Sequence, residues 1–325
     1  MISLKLYSEI EENLKNKKQT ILFLNRRGYS TFVMCRDCGY TVKCKNCNIT
    51  MTYHLKENNL RCHYCGYEQQ NIVECPQCHS KNIKYFGTGT QKLEAEIQKL
   101  FPNASTIRMD IDTVSKKNSH EEILNSFKED NIDILIGTQM VVKGHHFPNV
   151  TLVGVIAADS SLYMEDYRAT EKTFQILTQV AGRAGRENLK GRVIIQTYNP
   201  DNFSIECAKD QDYDMFYNGE IALRKQLKYP PFCDIIIIVI NGKNIEEVEK
   251  ISYKIFENLK KQTKLMEIFK PMPAPIDKIK NRYRWRMVIK CNLNMQIIEK
   301  VHNAIDNIQV KDTRIIVDVN PTNMI

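Results

Sequence analysis

The stretch Gln179-Val-Ala-Gly-Arg-Ala-Gly-Arg186 closes a segment that begins near Glu165. Read as a helix, Phe174, Leu177, Ala181 and Ala184 recur on one face, while Gln179, Arg183 and Arg186 recur at steps of four and three on the opposite face. One face packs and the other offers hydrogen-bond donors. Gly182 and Gly185 each cost a helix interior roughly 1 kcal/mol, so the helix is expected to stop here and leave the guanidiniums at its end. Two arginines beside a small-residue turn suit planar, bidentate capture of phosphate oxygens. The competing reading, a solvated basic helix end, does not explain the glutamine on the same face or the glycine before each arginine.

A chain of 325 residues has room for two or three domains, each able to bury a core. At 42% hydrophobic and 26% charged, the composition is that of an ordinary globular protein. A formal charge of +8 and a pI near 8.8 favour a polyanionic partner without identifying one. No apolar run reaches the roughly 18 residues of a membrane span, and Met1-Ile-Ser-Leu-Lys5 lacks a signal-peptide layout, so a cytoplasmic protein with no membrane partner is expected.

Eight of the eleven cysteines fall in four Cys-x-x-Cys pairs, Cys35/Cys38, Cys44/Cys47, Cys62/Cys65 and Cys75/Cys78. Each pair can set two thiolates on a tight turn at about 2.3 Å from a zinc ion, and two pairs complete a tetrahedral site, so eight ligands imply two Zn²⁺. A redox dithiol accounts for one such pair but not for four together. The segment has few large apolar side chains, so the metals would supply its folding energy. From Arg26 to Lys84 there are nine Lys/Arg against four Asp/Glu, and eight thiolates with two dications bring the loaded module close to neutral. Bulk charge therefore gives it no grip on DNA, and a wedge or partner-docking role fits better.

Around this module the chain alternates. A helix over the first 18 residues, with Leu4, Ile10 and Leu14 on its apolar side, precedes the buried strand Thr20–Asn25, which ends at Arg26-Arg27-Gly28. Further strands are expected at 106–110, 132–136, 150–157 and 192–197, with helices at 92–101 and 121–129 between them. This order indicates a parallel sheet with helices on both faces. At the end of one strand lies Gly137-Thr-Gln-Met-Val-Val-Lys-Gly-His-His-Phe-Pro148. There the hydroxyl of Thr138, the amide of Gln139 and the ammonium of Lys143 suit contacts to a phosphodiester backbone. The last 125 residues form a β-α-β-β-α-β-like α+β domain. In it, Lys270 to Lys290 holds seven Lys/Arg and one aspartate, interleaved with Tyr283 and Trp285. DNA contact through Arg282, Arg284 and Trp285 is one reading of this stretch; an edge strand with core aromatics and guarding lysines is the other.

The Gln179–Arg186 stretch resembles the last motif of superfamily 2 helicases. The cysteine array inside an α/β lobe narrows the resemblance to the PriA-type replication-restart helicases. Phe-Leu-Asn-Arg-Arg-Gly-Tyr at 23–29, Gly-Thr-Gly-Thr-Gln at 87–91, Gly137–Phe147, Asp166-Tyr-Arg168, Thr173-Phe-Gln175, Pro271–Pro275 and Arg282-Tyr-Arg-Trp285 are similar to that family's stretches. Gln91 replaces a glutamate, His146 an aspartate, and Ala157-Ala-Asp159 keeps part of Asp-Ala-Asp.

The resemblance implies a RecA-like second lobe at 1–34 and 85–200, a two-zinc module inserted at 35–84, and a C-terminal α+β domain at 201–325. It implies nested ligation, with Cys35, Cys38, Cys75 and Cys78 on one ion and Cys44, Cys47, Cys62 and Cys65 on the other. Arg183 and Arg186 would be catalytic and would bind nucleotide together with Gln179 and Gly144, while Arg26, Arg27, Thr138, Gln139 and Lys143 would contact DNA. The activity implied is ATP-dependent 3′→5′ unwinding of forked or single-stranded DNA with primosome proteins and single-stranded DNA-binding protein; the alternative is a non-enzymatic zinc-containing adaptor for branched DNA. No Gly-x-x-x-x-Gly-Lys-Ser/Thr loop is present, and Met1 falls about where that second lobe opens. The chain is therefore expected to be the C-terminal part of a longer enzyme, needing a first lobe for ATP and Mg²⁺ and inactive alone. Elemental analysis of freshly purified reduced protein is expected to return about two zinc ions per chain.

Overall fold

The computed structural model describes the chain apart from residues 1, 25–31, 36, 39, 41, 46–50, 55–56, 62–66, 87–88, 111–112, 115–118, 131, 139–140, 142–146, 163–165, 186–189, 198, 263–264, 307 and 325. It forms two compact units. The first comprises Met1–Tyr29, Gly87–Met164 and Arg168–Asn218; the second comprises Ser30–Phe86, Glu165–Tyr167 and Gly219–Ile325. No helix among the described residues is long and apolar enough to cross a membrane.

In the first unit, α1 (Leu4–Lys15) leads into β1 (Gln19–Leu24), every residue of which is buried. In the second unit, β2 (Phe32–Cys35), β3 (Thr52–His54), β4 (Asn59–Arg61), β5 (Glu68–Gln70) and β6 (Ile83–Phe86) build the cysteine-rich segment. The first unit then continues through α2 (Thr90–Leu100), β7 (Thr106–Met109), α3 (Ser119–Glu129), β8 (Ile134–Gly137), β9 (Val150–Ile156), α4 (Ala169–Ala181) and β10 (Arg192–Ile195). Its strands form one parallel sheet in the order β10-β9-β1-β8-β7.

Alternate residues of β1 face opposite layers. Ile21 and Phe23 pack with Leu124, Phe127, Phe174 and Leu177 from α3 and α4. Leu22 and Leu24 pack with Leu6, Ile10, Leu93 and Ile97 from α1 and α2. Period-2 burial on both faces produces the unbroken apolar run seen in the sequence. Gly154 in β9 lets α1 approach: a Cβ there would lie 2.8 Å from Leu22 Cδ2 and 2.9 Å from Leu6 Cδ1. Leu4, expected on the packed face of the first helix, is instead 90% exposed, because Leu6 and Ile10 take the buried stripe. Arg192 fastens that helix to β10, with Nη1 2.6 Å from Glu9 and 3.0 Å from Glu12.

The core of this unit also takes in Ile205, Cys207 and Ala208 of α5 (Phe203–Asp210) and Phe216 of α6 (Tyr213–Leu227), with Phe216 stacked on Phe174 at 4.1 Å. The unit therefore runs to Asn218 rather than ending at residue 200. The helices after the last parallel strand bury apolar faces in the same layer.

The remainder of the second unit contains β11 (Asp234–Gly242), α7 (Ile245–Gln262), β12 (Met266–Ile268), β13 (Met272–Ile279), β14 (Arg282–Cys291), α8 (Met295–Asp306) and β15 (Arg314–Val319). All strand pairs are antiparallel, in the order β12-β14-β11-β15, with β13 continuing the β12 edge along β14. Counting β12 and β13 as one interrupted edge strand, this is the expected β-α-β-β-α-β plan. Gly154→Val should destabilise the first unit by about 1–3 kcal/mol through overpacking, read as a lower denaturant midpoint with unchanged m-value.

Candidate functional site

Strand β1 is the point where the chain changes direction in the parallel sheet, so the carboxyl ends of β1, β8 and β9 are where such sheets gather ligands. Thr138 lies there, half-buried, immediately after β8. Gly137 must be glycine: a Cβ would come within 2.0 Å of Val141 Cγ2 and 3.0 Å of the Met109 carbonyl oxygen. Val141 N–H donates to Thr138 O at 3.0 Å, turning the chain back. Gln139, Lys143, Gly144 and His146 lie outside the described residues, as do Arg26 and Arg27 beyond β1. The path resumes at Phe147, buried and edge-on to Phe127 at 5.1 Å, just before β9 begins. Gly137 thus ends β8 at the carboxyl edge, and Phe147 lies just before the start of β9 at the amino edge.

The helix expected near Glu165 is α4, which starts at Ala169 and ends at Ala181 with Gly182 as its cap. Phe174, Leu177, Val180 and Ala181 are buried, while Gln179 is exposed and Arg183 half-buried. The last turn tightens, with Arg183 N–H donating to Val180 O at 3.0 Å and Ala184 N–H to Ala181 O at 3.1 Å. Gly185 takes φ 62°, and its N–H donates to the carbonyl of Val150, the first residue of β9, at 3.1 Å. Arg183 therefore stands at the amino edge of the sheet, opposite the edge that carries Thr138. Arg186 lies outside the described residues.

Strands β2 and β6 pair antiparallel, Phe32 opposite Phe86 and Cys35 opposite Ile83, and close the cysteine-rich segment at a neck. Directly beyond it, Cys35, Cys38, Cys75 and Cys78 bring their Sγ atoms within 4.8 Å of one another. The Cys35–Cys78 and Cys38–Cys75 sulfur separations are 3.6 and 3.5 Å. A tetrahedral zinc with Zn–S of 2.3 Å needs about 3.8 Å between sulfurs, so this donor set fits a Cys₄ zinc site.

The two turns share one frame: Cys35 N–H donates to Tyr40 O and Cys75 N–H to Ser80 O, both at 2.9 Å. The backbone N–H of Cys38, opposed by burial and aided by the N–H of Asp37, holds the Cys35 thiol down to about 7, while at Cys78 the N–H of Ser80 is outweighed by hydrogen bonds to the neighbouring thiols and by burial, which push it up to about 12. Cys44 is buried among Val33, Val42, Met51, Tyr53 and Leu60; Cys47, Cys62 and Cys65 lie outside the described residues. The Asp37 carboxylate accepts from Ser80 Oγ and from Asn82 Nδ2 (3.0 Å) of the other turn. Only an aspartate between two cysteines hinted at this contact in the sequence.

The basic stretch of the C-terminal domain is bonded into its own sheet. Trp285 is 9% exposed, packed with Ile238, Ile240, Met287 and Ile289 and edge-on to Tyr253, so its ring is not available for stacking on bases. Arg282 donates Nε to Asn241 Oδ1 (2.5 Å) and Nη2 to the carbonyls of Asn241 (2.9 Å) and Asp312 (2.5 Å). Arg284 reaches Ile276 O at 3.3 Å. Lys290 is buried, donating to Leu227 O at 2.8 Å with Nζ 3.8 Å from the Tyr229 ring centre. β14 has neighbours on both sides, so its alternate residues Trp285, Met287, Ile289 and Cys291 enter the core, and its cations serve internal carbonyls.

Residues 68–188 match the helicase conserved C-terminal domain, 44–70 the PriA DNA helicase Cys-rich region, and 225–322 the primosomal protein N C-terminal domain. The replication restart protein PriA of Bacillus subtilis (strain 168) is 45% identical over 329 residues, covering 99% of this chain and 40% of that protein. The chain belongs to the PriA family. Replication restart proteins PriA of Synechocystis sp. and Borreliella burgdorferi are 44% and 39% identical, covering 88% and 93% of this chain and 35% and 46% of theirs. The chain spans less than half the length of these PriA relatives. Its parallel sheet is the helicase C-terminal lobe, the residues matched to the PriA Cys-rich region lie between the two turns of the cysteine cluster, and its antiparallel sheet is the PriA C-terminal domain. Trp285→Ala is expected to cost that domain about 3–5 kcal/mol, measured by urea unfolding.

Proposed function

We propose that this chain supplies the second motor lobe, the metal module and the C-terminal domain of an ATP-dependent 3′→5′ DNA helicase that restarts stalled replication forks in the cytoplasm. The supporting observation is the division of the parallel sheet into two edges, with Arg183 at the amino end and Thr138 at the carboxyl end. A motor needs a nucleotide edge and a DNA edge joined by a continuous element, so that a change at one is felt at the other.

Arg183, at the amino edge, acts with Arg186 to neutralise charge developing on the transferring phosphoryl group, while Gln179 contacts the nucleotide and Gly144 lets the backbone approach it. Thr138, at the carboxyl edge, holds phosphodiester oxygens together with Gln139, Lys143, Arg26 and Arg27, without reading sequence. ATP and Mg²⁺ are held only together with a first lobe that carries the phosphate-binding loop. The metal module takes two zinc ions: Cys35, Cys38, Cys75 and Cys78 hold the first, and Cys44, Cys47, Cys62 and Cys65 the second. Each ion would fix a turn that burial alone cannot hold. The partners are forked or single-stranded DNA, other primosome proteins and single-stranded DNA-binding protein.

The test combines this chain with a separately expressed first lobe, or uses the complete enzyme, and follows DNA-stimulated ATP hydrolysis. Arg183→Ala and Arg186→Ala should each lower kcat by roughly 10³-fold while DNA affinity stays within about twofold. Thr138→Ala should raise the DNA concentration needed for half-stimulation with little change in kcat. ATP hydrolysis indifferent to Arg186→Ala would overturn its role at the phosphoryl group, and no DNA-stimulated hydrolysis in the combined protein would leave the non-enzymatic adaptor.

A further inference from the structure

The four thiols of the first metal site come from turns some forty residues apart, and the described contacts between those turns are few. Cys38 and Cys78 are exposed, so burial does little to hold them in place. The β2–β6 ladder fixes Cys35 opposite Ile83, but the second turn, Cys75–Ser80, ends before that ladder begins. Its position relative to the first turn is not set by strand pairing.

We propose that Asp37 is a positioning residue for this site, its carboxylate clamping the two cysteine turns together so that all four sulfurs stay within reach of one zinc ion. The proposal rests on the zinc reading of the cluster. Asp37 lies between Cys35 and Cys38. Its carboxylate accepts a hydrogen bond from Ser80 Oγ, and Asn82 Nδ2 donates to Oδ1 at 3.0 Å. Ser80 is well placed to transmit the grip: its carbonyl accepts Cys75 N–H at 2.9 Å, and its Oγ accepts Asn82 N–H at 3.0 Å. A pull on Ser80 is therefore a pull on the backbone that carries Cys75 and Cys78. The carboxylate touches no sulfur and acts on the metal only through the geometry of its ligands, as the outer partners of metal sites do.

The clamp is exposed, so it should matter little to global stability and much to metal retention, and those two readouts separate a positioning role from a merely structural one. The experiment uses the full chain purified with zinc and follows metal transfer to a chromogenic chelator, alongside thermal unfolding. Asp37→Ala should speed release of about half the bound zinc by roughly 10-fold or more, with Tm changed by no more than a degree or two. Ser80→Ala should reproduce it, and Asp37→Asn, which keeps an acceptor for Ser80 but opposes the Asn82 amide, should fall between. Asn82→Ala removes a single bond and serves if either alanine variant fails to fold. Release rates within twofold of the unaltered chain for Asp37→Ala and Ser80→Ala would overturn the clamp. Absence of zinc from the unaltered chain would instead overturn the metal reading on which it rests.

Discussion

A single strand buried on both faces and bordered on both sides governs the first unit. Strand β1 has no exposed residue and pairs in parallel with β8 on one side and β9 on the other. A strand so enclosed can only be apolar along its whole length, and its flanking strands must be reached by crossovers that return over one face or the other. That requirement sends every loop to one of two edges. It also separates the residues that follow a strand, such as Thr138, from those that follow a helix, such as Arg183.

The cysteine-rich segment obeys a different constraint. Its apolar cluster is small, formed by Val33, Val42, Cys44, Met51, Tyr53 and Leu60, with Ile279 from the β13–β14 hairpin packed against it and Lys278 Nζ donating to Lys45 O at 3.1 Å. A core of that size leaves little margin against chain entropy. The convergence of four thiols just beyond a four-residue antiparallel neck shows where additional cohesion enters. Hydrophobic burial shapes the larger cores of each unit, whereas the cysteine-rich segment brings four thiols within reach of one metal ion.

Much of this was legible in the residues. β1 and β9 announced themselves as unbroken apolar runs, and the end of α4 at Gly182 followed from helix propensity. The nested grouping of Cys35 and Cys38 with Cys75 and Cys78 agrees with what the family resemblance implied. Other features depend on context that spacing does not carry. Leu4 has helical periodicity, but a helix buries one stripe, and Leu6 with Ile10 forms it. Strand β13 carries prolines at 273 and 275, which an edge strand tolerates and an interior one does not. Trp285 among arginines looks like a nucleic-acid surface until β14 is known to be interior to its sheet, after which strand alternation sends the indole inward.

The neck at Phe32 and Phe86 has a topological consequence. Because outgoing and incoming chain meet as hydrogen-bonded neighbours, the whole excursion between them is a closed detour whose contour length is invisible to the parallel sheet. A long appendage could grow, shrink or be exchanged there without altering the register of β1 against β8 and β9. The same doorway that admits a metal-bound knob would accept a grafted reporter or a foreign binding module as readily.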